Sequence, residues 1–294
     1  MYIRKDQKTV LHVIDTTGPG GAETVFIELC TRLDPALYKP VVVVTGVGWV
    51  HDELLRRGMQ PVIIPTTKSF DLQYLRDVCA IVRKDKVDLI QSHLFGSNVY
   101  SSIVGLVTGT PVVSTFHGSV DVSVNERFKW LKFALLNTGS SKVVFVSNYL
   151  MRTISQLAKV RSDKATVIYN GVDTERFSPG RDVSLRRELG LSDDDFLVGA
   201  IGNIRPSKAY DILLRAAALI ARQSTRCKFV IVGEGDGHLL QELLALRKTF
   251  GLERDVFLLG FRADTQRVLN NLDAFVLSSS TEGFSISTIE AMAS

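Results

Sequence analysis

Short runs of β-branched residues alternate along this chain with longer amphipathic segments, which limits the folds open to it. Runs such as PVVVVT (residues 40–45) are apolar at almost every position, as in strands that helices cover on both faces. Segments such as FDLQYLRDVCAIVRK carry apolar residues at helical spacing. The pattern predicts an α/β protein of strand-helix units with parallel sheets. Strands are predicted at residues 9–16, 40–45, 61–65, 88–93, 111–117, 142–147, 165–171, 196–203, 228–233, 255–260 and 273–280.

The strand-helix pattern stops after Gly171 and later restarts. The intervening stretch, TERFSPGRDVSLRRELGLSDDD, is polar and contains a Ser-Pro-Gly breaker. We therefore predict two Rossmann-like, doubly wound parallel-sheet domains over residues 1–173 and 196–294, joined by a linker over 174–195; the length of 294 residues suits two cores. Such folds bind ligands beyond the carboxyl ends of their strands, so functional residues are expected on the loops after strands, around a cleft between the domains.

Composition excludes several classes of protein. The net charge of +4 is too small to require a nucleic-acid partner. The three cysteines are scattered, which argues against a disulfide framework or a zinc site and fits a reducing compartment. The N-terminal apolar stretch resembles a first strand more than a signal peptide. We therefore expect a cytoplasmic protein.

The first loop after a strand runs from Thr16 to Glu23 and is rich in glycine. Glycines let a backbone approach a ligand, and the following helix offers unpaired amides to a phosphate. A dinucleotide fingerprint is not met, because Glu23 stands where its third glycine would be and no acidic residue ends the second strand. The alternative is a tight turn that serves packing only.

Two histidines, His93 and His117, end predicted strands, where side chains face a ligand site. A histidine in that position can donate to or polarise a bound group near neutral pH. This favours a functional role for His117, which Gly118 follows, and leaves a structural or a functional role open for His93. His12 lies inside the first strand and is expected to be structural.

The second domain repeats this arrangement of loops after strands. Arg205 and Lys208 follow a strand and open a helix, so they suit a diphosphate, although both could be ordinary solvated residues. The glycine-rich turn over 233–237 could approach a nucleotide base or be only a turn. Glu282 and Glu290 supply carboxylate acceptors that suit sugar hydroxyls. The alternative for Glu290 is a capping box, because Ser287-x-x-Glu290 matches that motif.

These signals occur together and in order along the chain. The residues concerned are Gly20-Gly21-Ala22-Glu23, Phe116-His117-Gly118, Val146-Ser147, Val167 to Asp173 with Phe177, Gly202 to Lys208, Val232-Gly233-Glu234-Gly235, Glu282-Gly283-Phe284 and Glu290-Ala291-Met292. Over almost its whole length the chain resembles the retaining glycosyltransferases of family 4, which have the two-domain GT-B fold. The Asn-Gly-Val-Asp run and the two-glutamate motif are the most specific parts of the resemblance.

The resemblance implies a sugar transferase that uses a nucleotide diphosphate sugar and needs no bound metal or other cofactor. His117 and Glu282 would act at the transferred sugar, with Glu290 on the ribose and Arg205 and Lys208 on the diphosphate. The residues implied for donor binding are Gly21, Arg205, Lys208, Gly283, Phe284, Ser285 and Glu290. The acceptor would be a carbohydrate or a lipid-linked molecule. Two alternatives are a nucleotide-sugar epimerase of the same fold and a sugar- or nucleotide-binding fragment without turnover.

The chain departs from the family pattern in three places. Asn203 stands where the family often has arginine, and Ala209 where it often has glycine; Arg205 is expected to substitute for the former. The sequence also ends about eight residues into a helix, and so short a helix is marginal without packing. This predicts an incomplete second domain and weak or absent activity for these residues alone.

A basic and aromatic segment, residues 126–133, could make peripheral contact with an anionic membrane. Its aromatic and lysine residues recur at helical spacing. The alternative is a core-facing helix whose lysines reach back to solvent.

Overall fold

The computed structural model describes residues 7–66, 70–118, 122, 126–235 and 237–294. The chain divides into two compact units, Met1–Asn170 and Gly171–Ser294. The predicted first domain ends at residue 173, and the predicted linker covers residues 174–195. In the structure that stretch contains a short helix, and its Leu185 is fully buried in the core of the second unit. These residues therefore pack as part of the second unit.

The first unit contains, among its described residues, a parallel sheet of seven strands in the order β3-β2-β1-β4-β5-β6-β7. The chain winds outward from β1 to β3 and then returns to place β4 beside β1, which makes the β1/β4 boundary a topological switch point. The strands are β1 (Lys8–Ile14), β2 (Tyr38–Val44), β3 (Val62–Ile63), β4 (Leu89–His93), β5 (Val112–Phe116), β6 (Lys142–Phe145) and β7 (Ala165–Val167).

Helices cover both faces of this sheet. One group of buried side chains includes Val13, Tyr74 and Val78, and a second includes Ile14 and Phe26. Because successive residues of a strand point to opposite faces, Val13 and Ile14 show that β1 is covered on both sides. The helices are α1 (Gly21–Thr31), α2 (Trp49–Arg56), α3 (Leu72–Lys84), α4 (Phe95–Thr108), α5 (Lys129–Gly139) and α6 (Asn148–Ala158).

The second unit repeats the design on a smaller scale. Its described residues form a parallel sheet of four strands in the order β10-β9-β8-β11, so that the switch point lies between β8 and β11. The strands are β8 (Phe196–Ile201), β9 (Cys227–Val232), β10 (Val256–Leu258) and β11 (Ala274–Phe275). The helices are α7 (Ser184–Glu188), α8 (Tyr210–Ala221), α9 (Gly237–Thr249), α10 (Thr265–Leu269) and α11 (Ile286–Ala293), with a 3-10 turn at Pro206–Lys208.

The predicted fold class, two Rossmann-like α/β domains with parallel sheets, is confirmed, and each predicted strand has a counterpart. The largest difference is β11, which was predicted over 273–280 and covers only Ala274–Phe275. The serines that follow it bond to another loop instead: the Ser280 amide donates to the Ser207 carbonyl at 2.9 Å. The Ser278 hydroxyl donates to the Lys208 carbonyl at 2.7 Å. These bonds turn the backbone out of the sheet and into the site described next.

Candidate functional site

Lys208 and Glu282 meet at the switch point of the second unit. Lys208 lies on the loop after β8 and Glu282 on the loop after β11, and these two strands are neighbours in the sheet. The Lys208 Nζ donates to Glu282 Oε1 at 2.7 Å, and both side chains are largely buried, with 18% and 27% of their surface exposed. Two predicted site residues far apart in sequence therefore form one charged pair at the edge where α/β sheets bind ligands.

The surrounding loops hold this pair in position. The Ser279 hydroxyl donates to the same Glu282 oxygen, Oε1, at 2.6 Å. Gly202 packs against the lysine: a Cβ built on it would lie 2.7 Å from Lys208 Cε, so a side chain there would displace Lys208. The Tyr210 hydroxyl donates to the Gly202 carbonyl at 2.7 Å, which ties the loop to α8. Gly202 is thus needed for the close approach of Lys208.

The loop after β9 also packs against the loop after β8. A Cβ on Gly233 would lie only 2.0 Å from the Gly202 carbonyl oxygen, so the two backbones approach closely. The Ile204 amide donates to the Glu234 carbonyl at 2.7 Å, and the Glu234 amide donates to Asn203 Oδ1 at 3.2 Å. Asn203, which departs from the family pattern, therefore bridges two loops. Asp236 of the predicted turn lies outside the described residues.

Arg205 is not part of the charged pair. Its side chain is exposed and makes no hydrogen bond or ion pair with another described residue, whereas its carbonyl accepts a bond from the Lys208 amide at 3.0 Å. The structure therefore brings Lys208 and Glu282 together and leaves the Arg205 guanidinium directed to solvent.

Glu290 lies in the second turn of α11, after the predicted donor-binding residues Gly283, Phe284 and Ser285. The N-cap of α11 is Ser285, whose hydroxyl accepts a bond from the Thr288 amide at 3.3 Å. The capping box of Ser287 and Glu290, which was the alternative for Glu290, is therefore not formed, because the helix begins two residues earlier than that motif requires. Burial raises the pKa of Glu290 to about 7, against an opposing effect of Arg176. A partly buried carboxyl whose pKa lies near neutral pH is a common feature of functional sites.

Gly21 and His117 both belong to the first unit. Gly21 is the exposed first residue of α1, and its neighbour Gly20 is the N-cap. His117 directly follows β5 and is half-buried; its Nε2 lies 2.8 Å from Nδ1 of His93, at the end of β4. The sequence left a structural or a functional role open for His93, and its direct contact with His117 favours a functional role. Burial lowers the pKa of His117 to about 4 and that of His93 well below its usual value.

Two carboxyl groups lie at the switch point of the first unit. Asp15, directly after β1, accepts a hydrogen bond from the Ser97 amide at 2.9 Å, and Ser97 lies in α4, directly after β4. Burial raises the pKa of Asp15 to about 6, against the effect of that bond. Glu23 is buried and accepts from the Thr16 hydroxyl at 2.7 Å. Asp15 was not among the predicted site residues, because it falls inside the strand predicted over 9–16, whereas β1 ends at Ile14.

Among the described residues, no three His, Cys, Asp or Glu side chains come together as the ligands of a metal ion would. None of the helices within the described ranges has the length and apolar character needed to cross a membrane.

Comparison with known proteins places the chain in a family. The family model described as Glycosyltransferase Family 4 matches residues 19–176, more than half of the chain. The chain belongs to glycosyltransferase family 4. The model described as Glycosyl transferases group 1 matches residues 183–294, so the two matches divide the chain much as the two compact units do.

Several relatives in this family are named glycosyltransferases. UDP-Gal:alpha-D-GlcNAc-diphosphoundecaprenol alpha-1,3-galactosyltransferase of Escherichia coli is 29% identical over 75% of this chain and 59% of its own length. The putative glycosyltransferase EpsF of Bacillus subtilis is 23% identical over 99% of this chain and 78% of its own length. The chain thus spans less than two thirds of the first of these relatives. The crystal structure of Anabaena HepE in complex with UDP and glucose has a TM-score of 0.84 and 24% identity, covering 98% of this chain and 78% of HepE; this likeness concerns the fold.

Proposed function

We propose that this protein transfers a hexose from a nucleotide diphosphate sugar to an acceptor, with retention at the anomeric carbon. The observation that carries the proposal is the Lys208–Glu282 pair at the β8/β11 switch point. A lysine supplies positive charge for a diphosphate, and a carboxylate accepts hydrogen bonds from sugar hydroxyls. The pair therefore offers a positive charge to the diphosphate of a nucleotide sugar and a hydrogen-bond acceptor to its sugar.

Lys208 acts on the leaving group in this proposal. As the bond from the sugar to the diphosphate stretches, negative charge grows on the diphosphate oxygens. A lysine already held in place stabilises that charge more in the transition state than in the ground state. Arg205, whose side chain is exposed and unpaired among the described residues, is free to turn toward the diphosphate when the donor binds. No step of this scheme requires a metal ion or another cofactor.

Glu282 and Glu290 orient the donor in this proposal. Glu282 already accepts from Lys208 and Ser279, which fixes its position before a sugar arrives. Glu290 accepts from the ribose hydroxyls, and the backbone at Gly283, Phe284 and Ser285 lies against the donor. Gly21 and His117 of the first unit are assigned to the diphosphate and the sugar by the family resemblance.

Among donors, a UDP-hexose best fits the relatives. Among acceptors, a carbohydrate or a lipid-linked molecule fits them best. The Escherichia coli relative is named for UDP-Gal and for a diphosphoundecaprenol acceptor, and HepE was crystallised with UDP-glucose.

The test is a thermal-shift panel of UDP-, GDP- and ADP-sugars followed by transfer assays with radiolabelled donor. We expect stabilisation by UDP-hexoses and label in the acceptor. Label that remains in an epimerised nucleotide sugar would favour the epimerase, and no response to any nucleotide sugar would refute the proposal.

A lipid-linked acceptor implies contact with a membrane, and helix α5 offers a surface for it. Phe133 and Leu136 of α5 are buried, whereas Trp130 and the preceding Phe128 are 73% and 69% exposed. The aromatic residues border a groove of about 500 Å³ that Lys129 and Leu157 also line. Exposed aromatic rings beside basic residues are typical of surfaces that rest on anionic lipid. The cytoplasmic face of a membrane is proposed for this contact, because the free cysteines fit a reducing compartment.

Vesicle flotation tests this surface. We expect the chain to float with vesicles that contain anionic lipid, and Trp130→Ala to lower the bound fraction about fivefold, because a large aromatic ring no longer enters the interface. Leu219→Ala is the control, since Leu219 is 60% exposed but lies in the second unit. Failure of the unaltered chain to float, or an equal loss in both variants, would remove the membrane contact.

A further inference from the structure

His93 and His117 form a direct ring-to-ring contact at the carboxyl edge of the first sheet. His93 ends β4 and is fully buried, and His117 follows the neighbouring strand β5. The His93 Nδ1 and the His117 Nε2 lie 2.8 Å apart, a hydrogen-bond distance, and the two rings are within 21° of parallel. The ring that donates in this contact decides which nitrogen of His117 carries its proton.

The backbone holds His93 firmly in this position. The next residue, Leu94, has a φ of 72°, a left-handed conformation that is unfavourable for a leucine. Its amide donates to the Thr115 carbonyl at 3.2 Å, and His93 itself pairs with Thr115 in the sheet register. Because such backbone strain persists only where the surrounding structure enforces it, the end of β4 is closely determined.

Each ring carries one proton at neutral pH. Burial lowers the pKa of His117 to about 4, and burial together with the neighbouring His117 lowers the pKa of His93 well below its usual value. Two neutral rings that share a 2.8 Å contact need one N–H and one lone pair between them. Either His93 donates from Nδ1, or His117 donates from Nε2.

The burial of the other His93 nitrogen separates these two arrangements. Nε2 of His93 is buried and has no hydrogen-bond partner. If His117 donated, the proton of His93 would have to lie on that nitrogen, leaving a buried N–H without an acceptor. An unsatisfied buried donor is destabilising, and buried N–H groups without a partner are rarer than acceptors without one. Donation by His93 avoids that N–H, because Nε2 then carries only a lone pair.

We propose that His93 is a positioning residue, which donates from Nδ1 to Nε2 of His117 and thereby keeps the proton of His117 on Nδ1. His117 is then a neutral ring with its N–H at Nδ1 and its lone pair at Nε2, facing His93. It cannot act as a base through Nδ1. This inference rests on the proposed function for the role of His117, but the tautomer itself does not.

Nitrogen-15 NMR of the imidazole rings tests the tautomer without an activity assay. In the unaltered chain we expect the His117 Nδ1 to show the shift of a protonated ring nitrogen and Nε2 that of an acceptor. The opposite pattern would overturn the proposal. His93→Asn keeps a short amide donor near the position of Nδ1 and should preserve the pattern, whereas His93→Leu should move the His117 proton toward Nε2.

Turnover supplies the second readout. We expect His93→Leu to lower kcat by about tenfold with little change in the KM for donor, because the wrong tautomer binds but does not assist, and His93→Asn to recover most of the loss. The control is His12→Leu, since His12 is equally buried beside Phe26 but has no hydrogen-bond partner. Equal losses in His93→Leu and His12→Leu would show a packing effect and overturn the role. If NMR gives the expected tautomer but no nucleotide sugar stabilises the unaltered chain in the thermal-shift panel, the proposed function fails and the tautomer assignment stands.

Discussion

Replacement of Lys208 by methionine is expected to lower kcat/KM for sugar transfer by about 100- to 1,000-fold, the usual loss when one fixed transition-state donor is removed. Methionine keeps the length of the side chain but removes the charge that faces the departing diphosphate. The change also leaves Glu282 without its cationic partner in a largely buried setting. Steady-state transfer rates, with donor affinity measured by calorimetry, check the prediction.

A second lysine of the same unit provides a matched control. Lys228 donates to Asp255 Oδ1 at 2.6 Å, and its side-chain exposure of 14% is close to the 18% of Lys208. It lies near the start of β9, at the opposite end of the sheet from the candidate site. Lys228→Met should therefore lower stability to a similar extent without affecting transfer. If both variants lose the same activity, the loss reflects folding and Lys208 has no special role.

Affinity for UDP-glucose is expected to rise by up to about 30-fold between about pH 5.5 and pH 8, because ionised Glu290 accepts from the ribose hydroxyls through both oxygens, whereas one oxygen of the protonated carboxyl is a donor. Burial raises the pKa of this carboxyl to about 7, so it is protonated at the lower pH and ionised at the higher one. Affinity is thus lost as the pH falls below 7. Calorimetric titration at a series of pH values checks this, and UDP-glucose is the suitable ligand because its diphosphate, substituted at both ends, does not titrate in this range.

Glu290→Gln is the matched control for the pH dependence. It keeps an oxygen acceptor and the shape of the side chain but has no proton to lose, so its affinity should be nearly constant over the same range. Folding should respond in the opposite sense to binding. A carboxyl whose pKa is raised in the folded state stabilises the fold below the pKa of the unfolded chain, and this contribution is lost as the pH rises through 7. A flat binding profile for the unaltered chain would contradict the assignment of Glu290 to the ribose.

The sequence predicted the strands well because their signal is local. Continuous apolar runs mark strands that are covered on both faces, and β2 and β9 were located to within two residues at each end. The end of β11 was misjudged because Ser278 and Ser280 bond to the Lys208 and Ser207 carbonyls, which lie far away in sequence, on the loop after β8.

The site was predictable where topology alone brings residues together. Lys208 and Glu282 each follow a strand, and the carboxyl ends of parallel strands share one edge, so both were found on sequence position. Asp15 and the contact between His93 and His117 were not predicted, because burial and hydrogen-bond distance depend on which strands are neighbours. The capping box at Ser287 was a wrong alternative, since Ser285 competes for the same helix start.

The sequence by itself determined the alternation of strands and helices, the two Rossmann-like units and the loops on which charged groups stand. These properties follow from residue-by-residue preferences and from the handed, outward winding of parallel strands. Only the tertiary structure decided that Lys208 bonds to Glu282, that partial burial raises the pKa of Glu290 to about 7, and that His93 contacts His117. Charge and proton positions depend on distances of a few tenths of an ångström and on the exclusion of water, which no local pattern encodes.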